Sequence, residues 1–254
     1  NKTAATVDEN GTVTALRPIE TVTITAVYKT NPALTCSWNL KITRTKGYIT
    51  KQMLDNLDLT SIKKVMITAH PDDETLWGGG HLIEGEYLVV CMTHGWNPKR
   101  RTAFEQTMRT TNDKYLILDY PDVRKTFSNG KYETDMLSTC KNAMQEDINL
   151  ILSYKKWDLI ATHNPFGEYG KFLHKTISQM VTQCYNKMTN KSATLYYFGR
   201  YYNSSNKIPG EQIAPELLAI KNSMVGRYYP TAKGAIDAFG HMIPYENWLL
   251  PSEW

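Results

Sequence analysis

Residues 65–74 read Val-Met-Ile-Thr-Ala-His-Pro-Asp-Asp-Glu. The run at 65–68 is apolar and short, as expected of a strand buried in a sheet. Pro71 cannot continue a ladder and disfavours helix at His70, so the chain leaves the strand through a tight loop. That loop sets an imidazole and three carboxylates within five positions. Unpaired charges beside a core are costly, and a divalent cation is the simplest way to neutralise them. His70 and Asp73 offer the imidazole and carboxylate that such a cation takes.

Outward from this loop the pattern alternates. Strands are expected over 65–68, 87–92, 115–118, 158–162 and 193–198, and helices over 74–83, 102–111, 136–152, 171–188 and 215–225. Strands alternating with helices imply an α/β fold: a mostly parallel sheet with helices on both faces. Ligands of such sheets bind beyond the carboxyl ends of strands, where 70–74 and 163–169 both fall. Gly78-Gly79-Gly80 lacks the spacing and lysine of a phosphate loop. It reads instead as a place of close helix approach.

The first 45 residues differ. Short Thr/Val/Ile-rich stretches at 5–7, 12–15, 21–28 and 38–43 are separated by turn signals at 8–11 and 17–18, which indicates antiparallel β structure. Residues 46–60 read as a linker or capping helix, and 61–254 as the α/β domain. The sequence begins in mid-pattern at Asn1, so a piece of a longer protein is expected.

Composition narrows the function. With 254 residues and 41% hydrophobic content the chain can bury a sizeable core. A net charge of +4 from 29 basic and 25 acidic residues does not suit nucleic acid. The longest basic cluster, Lys99-Arg100-Arg101, reads as a solvated loop. Four separated cysteines without a CxxC argue against a thiolate metal site or a disulfide framework. No apolar run approaches membrane-spanning length.

A third metal ligand must come from elsewhere. The best source is the stretch from Thr162 to His174, Thr-His-Asn-Pro-Phe-Gly-Glu-Tyr-Gly-Lys-Phe-Leu-His. It follows a strand, turns through Pro165 and Gly167, and enters a helix. There His174 heads a stripe that continues through Ile177 and Val181 at helical spacing.

Ala69-His-Pro-Asp-Asp-Glu74 after a strand, with Gly167-Glu-Tyr-Gly-x-x-x-His174 further on, resembles the PIG-L/LmbE-like de-N-acetylase family. The resemblance covers roughly 60–200. It implies a Rossmann-like fold and a zinc-dependent hydrolase that removes acetyl groups from N-acetylglucosamine conjugates. It further implies that His70, Asp73 and His174 hold zinc, that Asp72 is the general base and that Tyr169 helps to bind the oxyanion. Glu74 is expected to orient the loop. One departure stands out: the family's second motif has H-x-x-H, and here Lys171 occupies the first histidine position. Lys171 can supply charge and a proton, or the change silences the enzyme. His163 and His94, near strand ends, are possible substitutes for the missing imidazole. Arg100, Arg101, Asp122 and Trp96 are weaker candidates for substrate contact, and Trp77 suits the core at least as well as a sugar platform.

Residues 5–26 are similar to bacterial immunoglobulin-like repeats of surface proteins, in an Ala-x-Val-Asp-x-x-Gly-x-Val-x-Ala turn followed by Thr-x-Thr-Ile-Thr-Ala. That implies the latter half of such a domain, a secreted or cell-surface bacterial protein, and a cell-wall or surface glycan as partner. Two other readings stay open: a carbohydrate-binding or adhesion module on an inactive scaffold, and a zinc amidohydrolase acting on a non-sugar amide.

Overall fold

The computed structural model describes residues 2–125, 132–133, 135–189 and 191–254. The N-terminal strands β1 (Ala5–Val7), β2 (Val13–Ala15), β3 (Ile19–Val27) and β4 (Thr35–Ile42) form two separate antiparallel hairpins, β1 with β2 and β3 with β4. They share a small satellite core of Ala4, Ala5 and Val22.

The rest alternates as expected. A short helix α1 (Lys51–Asn56) precedes β5 (Lys64–Thr68), α2 (Asp73–Glu84), β6 (Tyr87–Thr93), α3 (Pro98–Thr111) and β7 (Lys114–Tyr120). A two-residue pair, β8 (Arg124–Lys125) and β9 (Tyr132–Glu133), leads to α4 (Asp135–Tyr154) and β10 (Leu159–Thr162). Then come the turn α5 (Gly167–Gly170), α6 (Phe172–Lys187), β11 (Thr194–Tyr197) and α7 (Pro215–Phe239).

Five strands form one parallel sheet in the order β11-β10-β5-β6-β7, a Rossmann-like arrangement. Successive strand residues face opposite sides. Val65, Ile67, Leu88 and Val90 therefore enter one core with α4 and α6, while Met66, Val89 and Cys91 enter the other with α2, α3 and α7. The chain order reverses beside β5, where β6 lies to one side and β10 to the other. The crevice beyond the carboxyl ends of β5 and β10 is the place where such sheets bind ligands.

Three boundaries depart from the expected ones for local reasons. Helix α3 begins at Pro98, because the Asn97 side chain accepts the N–H groups of Lys99 and Arg100 and proline suits the first helical position; the basic cluster is therefore helical. Helix α7 runs past Gly226 and Pro230 to Phe239, carried by buried Tyr228, Ala232, Ile236 and Phe239. The stretch at 46–60 is packed rather than a free linker. Asp147 of α4 accepts the N–H groups of Tyr48 at 2.9 Å and Ile49 at 2.8 Å, and Ile49, Leu54 and Leu59 join the core.

The glycine triplet is a packing device. A Cβ on Gly78 would stand 2.7 Å from Met66 and 2.9 Å from Trp248, and one on Gly79 2.9 Å from Lys221. Helix α2 thus lies directly against the sheet, α7 and the C-terminal segment.

Candidate metal centre

The loop after β5 is held in an unusual conformation. Asp72, the residue before α2, has a φ of 153°, and Glu74 Oε2 accepts its N–H at 3.1 Å. Glu74 is itself buried and accepts the hydroxyls of Thr75 and Tyr228. Its expected role, to orient the loop, is thus given partners. Asp73 Oδ2 accepts the His70 N–H at 2.7 Å, which folds the loop onto its own carboxylate.

Three ligand atoms converge, His70 and Asp73 from the loop after β5 and the start of α2, and His174 from the first turn of α6. His70 Nδ1 lies 3.2 Å from Asp73 Oδ2 and 3.1 Å from His174 Nε2, and His174 Nε2 lies 3.3 Å from Asp73 Oδ2. A tetrahedral zinc with bonds of ~2.0–2.1 Å spaces its ligand atoms about 3.3–3.4 Å apart. The triangle of His70, Asp73 and His174 fits that spacing.

The remaining ring nitrogens are held by carboxylates. His70 Nε2 is 3.0 Å from Asp122 Oδ1, and His174 Nδ1 is 2.5 Å from Glu168 Oε2. Each carboxylate takes the N–H of its ring and leaves the opposite nitrogen unprotonated towards the shared point, as metal-binding histidines require. Burial works against charge on Glu168, but the His163 and His174 rings hold it down at about 2. Burial also disfavours charge on His70, yet Asp122 and Asp73 lift it to about 10. The same carboxylates make the shared point a place that favours positive charge. Asp122, a candidate substrate contact by sequence, holds His70 through Oδ1, which also accepts the Val123 N–H at 2.8 Å, and its side chain lines the cavity as well.

His163 is a different case. It is fully buried, so it cannot touch substrate. Its Nε2 accepts the Ala69 N–H at 2.9 Å, its Nδ1 lies 3.1 Å from Glu168, and its ring stacks on His174 at 3.8 Å. A main-chain amide can only donate, so His163 carries its proton on Nδ1. Both nitrogens are used, and the ring cannot replace the missing imidazole.

Around the triangle lies a cavity of about 130 Å³ whose lining includes Asp72, His94, Arg100, Tyr169, Lys171 and Phe239. Asp72 Oδ1 is buried and has no hydrogen-bond partner among the described residues; the Arg100 guanidinium stands 3.8 Å away. Burial and the neighbouring Asp73 push Asp72 up to about 7. Arg100 also reaches the Thr231 carbonyl at 3.1 Å and so links α3 to α7 across this edge. Tyr169 is partly exposed, with its ring 5.9 Å from that of His174. Burial and nearby carboxylates keep its phenol protonated far above the usual range. Lys171 is the residue immediately before α6 and faces the same space.

Arg101 does not. Its Nε donates to the Gly95 carbonyl at 2.6 Å and pins the loop after β6, so it is a loop fastener rather than a substrate contact. Trp96 lies outside this cavity, in a neighbouring cleft. Trp77 is core, packed edge-on against Phe239 at 5.0 Å.

Two residues carry more than their sequence signal suggests. Glu168 lies inside the Gly-Glu-Tyr-Gly stretch, but its φ of 56° and its grip on two histidines are tertiary facts. His94, with a φ of 65°, places Nε2 3.5 Å from Asp122 and leaves Nδ1 buried with no hydrogen-bond partner among the described residues.

No family model matches the sequence. The fold is shared with a crystal structure of the conserved protein TT1542 from Thermus thermophilus, with a TM-score of 0.51 over 76% of this chain and 96% of that one, at 12% identity. At the sequence level, uncharacterized protein L374 of Acanthamoeba polyphaga mimivirus is 31% identical over 175 residues, 62% of this chain and 67% of that protein. With that identity and coverage, the chain belongs to the same family as the mimivirus protein.

Proposed function

We propose that this chain is a zinc-dependent hydrolase that removes the N-acetyl group from an N-acetylglucosamine-type sugar or glycoconjugate, as members of the PIG-L/LmbE-like family do. The observation that carries the reading is the triangle of His70 Nδ1, Asp73 Oδ2 and His174 Nε2, at 3.1–3.3 Å, beside an unpartnered carboxylate oxygen of Asp72. His70, Asp73 and His174 would hold the metal. Zinc in such a site supplies Lewis acidity to an amide carbonyl and acidifies water.

The chain's own groups then divide the work. Hydrolysis adds the oxygen of water to the acyl carbon and its hydrogen to the amine, giving acetate and a free amino sugar. Asp72 Oδ1, buried and raised in pKa, accepts the proton that water gives up. The Tyr169 hydroxyl stays protonated and donates to the carbonyl oxygen as it gains charge. Lys171 brings a cation to the same side, where the family's histidine would stand. Asp72 or Lys171 returns a proton to the departing nitrogen. Arg100 keeps the Asp72 carboxylate oriented.

For location, the support is the likeness of 5–26 to bacterial surface repeats, together with the antiparallel hairpins β1–β4. We read these as an immunoglobulin-like segment on a secreted or surface protein, with a surface glycan as substrate. Among the described residues no helix is long and apolar enough to cross a membrane.

The test is metal content measured together with acetate release on a panel of N-acetylated glycans. One zinc per chain and acetate from at least one glycan are expected. Binding without acetate, with zinc present, would replace the hydrolase by a binding module. Free amine from non-sugar amides alone would move the substrate class.

A further inference from the structure

The metal cavity is small. Its volume of about 130 Å³ leaves room for a group the size of an acetamide and not for a sugar ring beside it, so the ring extends outwards. A second cleft of about 640 Å³ adjoins it, and the two share His94 and Asp122 as a common wall. The larger cleft falls within the size range of small-molecule sites, which favour boundaries between structural units.

This cleft has walls from both parts of the chain. Pro18 and Glu20 come from the N-terminal hairpins; Trp96, Asp135 and Met136 come from the α/β domain. The Arg17 guanidinium lies 4.4 Å from the Trp96 ring centroid and ties the two walls together. The lining mixes charge and polarity: Arg17 stands with the carboxylates of Glu20, Asp122 and Asp135, and burial holds the His94 imidazole towards its neutral form. Such a mixture of donors and acceptors suits sugar hydroxyls. A lipid would call for an apolar lining, and a polyanion for a uniformly positive one.

We propose that this cleft is a distal subsite for an N-acetylated oligosaccharide, whose scissile acetamido group enters the metal cavity while the next sugar residue lies in the cleft that the N-terminal hairpins and the α/β domain wall together. The proposal rests on the hydrolase reading for the position of the scissile group. It makes the N-terminal hairpins part of the substrate site and the enzyme selective for chain length.

The test uses N-acetylglucosamine and its β-1,4-linked trimer with the full chain. Calorimetric binding to the Asp72→Asn protein is measured beside acetate release by the wild type. The trimer is expected to bind at least tenfold more tightly than the monosaccharide. Met136→Trp on one wall and Glu20→Trp on the other, each checked for an unchanged far-ultraviolet spectrum, should bring that ratio close to one. A ratio near one before any cleft substitution, or a ratio untouched by both substitutions in folded protein, overturns the subsite. Length-dependent binding without acetate release would keep the subsite and remove the hydrolase. Acetate release without length dependence would do the reverse.

Discussion

Glu168 accepts a 2.5 Å hydrogen bond from Nδ1 of the buried His174, and so fixes which nitrogen of that ring faces the metal point. The same carboxylate reaches His163 at 3.1 Å. A single side chain therefore sets the tautomer of two stacked imidazoles, one a candidate ligand and the other a strand fastener.

Glu168→Gln keeps the shape and removes the charge. Loss of such an outer carboxylate typically lowers metal affinity about 10–100-fold. Competition with a chromophoric chelator should show a drop of that size. Unchanged affinity would mean that Glu168 does not position His174.

Asp72→Asn removes the proton acceptor and leaves the three ligand atoms in place. Acetate release should fall about 10²–10⁴-fold, while zinc stoichiometry stays at one per chain. Metal analysis and turnover measured on the same preparation check both halves.

Lys171 departs from the PIG-L/LmbE-like pattern that the chain resembles, which has histidine there. Lys171→Met should lower kcat by about 10² if the lysine acts as an oxyanion or leaving-group donor, with metal content unchanged. Lys171→His should stay much closer to the parent. A large gain for Lys171→His would mark the native chain as a silenced enzyme.

The C-terminal segment is tied down by a buried ion pair. Lys221 Nζ meets Glu246 at 2.6 Å, both side chains buried, and Glu246 also accepts the Gly80 and His81 N–H groups. Lys221→Met removes the buried cation but leaves the carboxylate the two N–H groups and the His81 ring at 2.6 Å, so the cost falls at the lower end for such pairs, about 3 kcal/mol. For a chain of this size, Tm should drop by about 6–12 °C. Scanning calorimetry measures it.

Asp113 gives a pH test away from the metal. Its carboxylate accepts the Tyr87 N–H at 2.7 Å and the Thr111 hydroxyl, yet burial lifts it from 3.8 to about 7. A group whose folded pKa is raised binds more protons in the folded state between those values. Stability is therefore lost as pH rises from about 4 to 7. Asp113→Asn lacks this titration, so its Tm relative to the parent should improve from pH 5 to pH 8. A constant difference across that range would contradict the assignment.

Much of this is legible in the sequence where the signal is local. The buried strands β5, β6 and β10 follow from short apolar runs, and the loop at 70–74 from proline and charge. His174 follows from a helical stripe. What is not legible depends on partners far apart in sequence. Asp122 is 52 residues from the ring that it holds, and nothing around it distinguishes a positioning carboxylate from a substrate contact. His163 carries the same ambiguity, settled only by the Ala69 amide. The extension of α7 past Gly226 and Pro230 requires knowledge of the face that it buries, since propensity alone argues for a stop.

The hydrogen bond from the Ala69 N–H to His163 joins the ends of two parallel strands through a side chain. The ladder before it pairs Thr162 with Ile67. A slip of β10 by one residue would send His163 to the opposite face of the sheet and take the support of His174 with it. On the proposed zinc reading, metal uptake is therefore sensitive to strand alignment: protein refolded with β10 slipped by one residue should regain its secondary structure and take up no zinc.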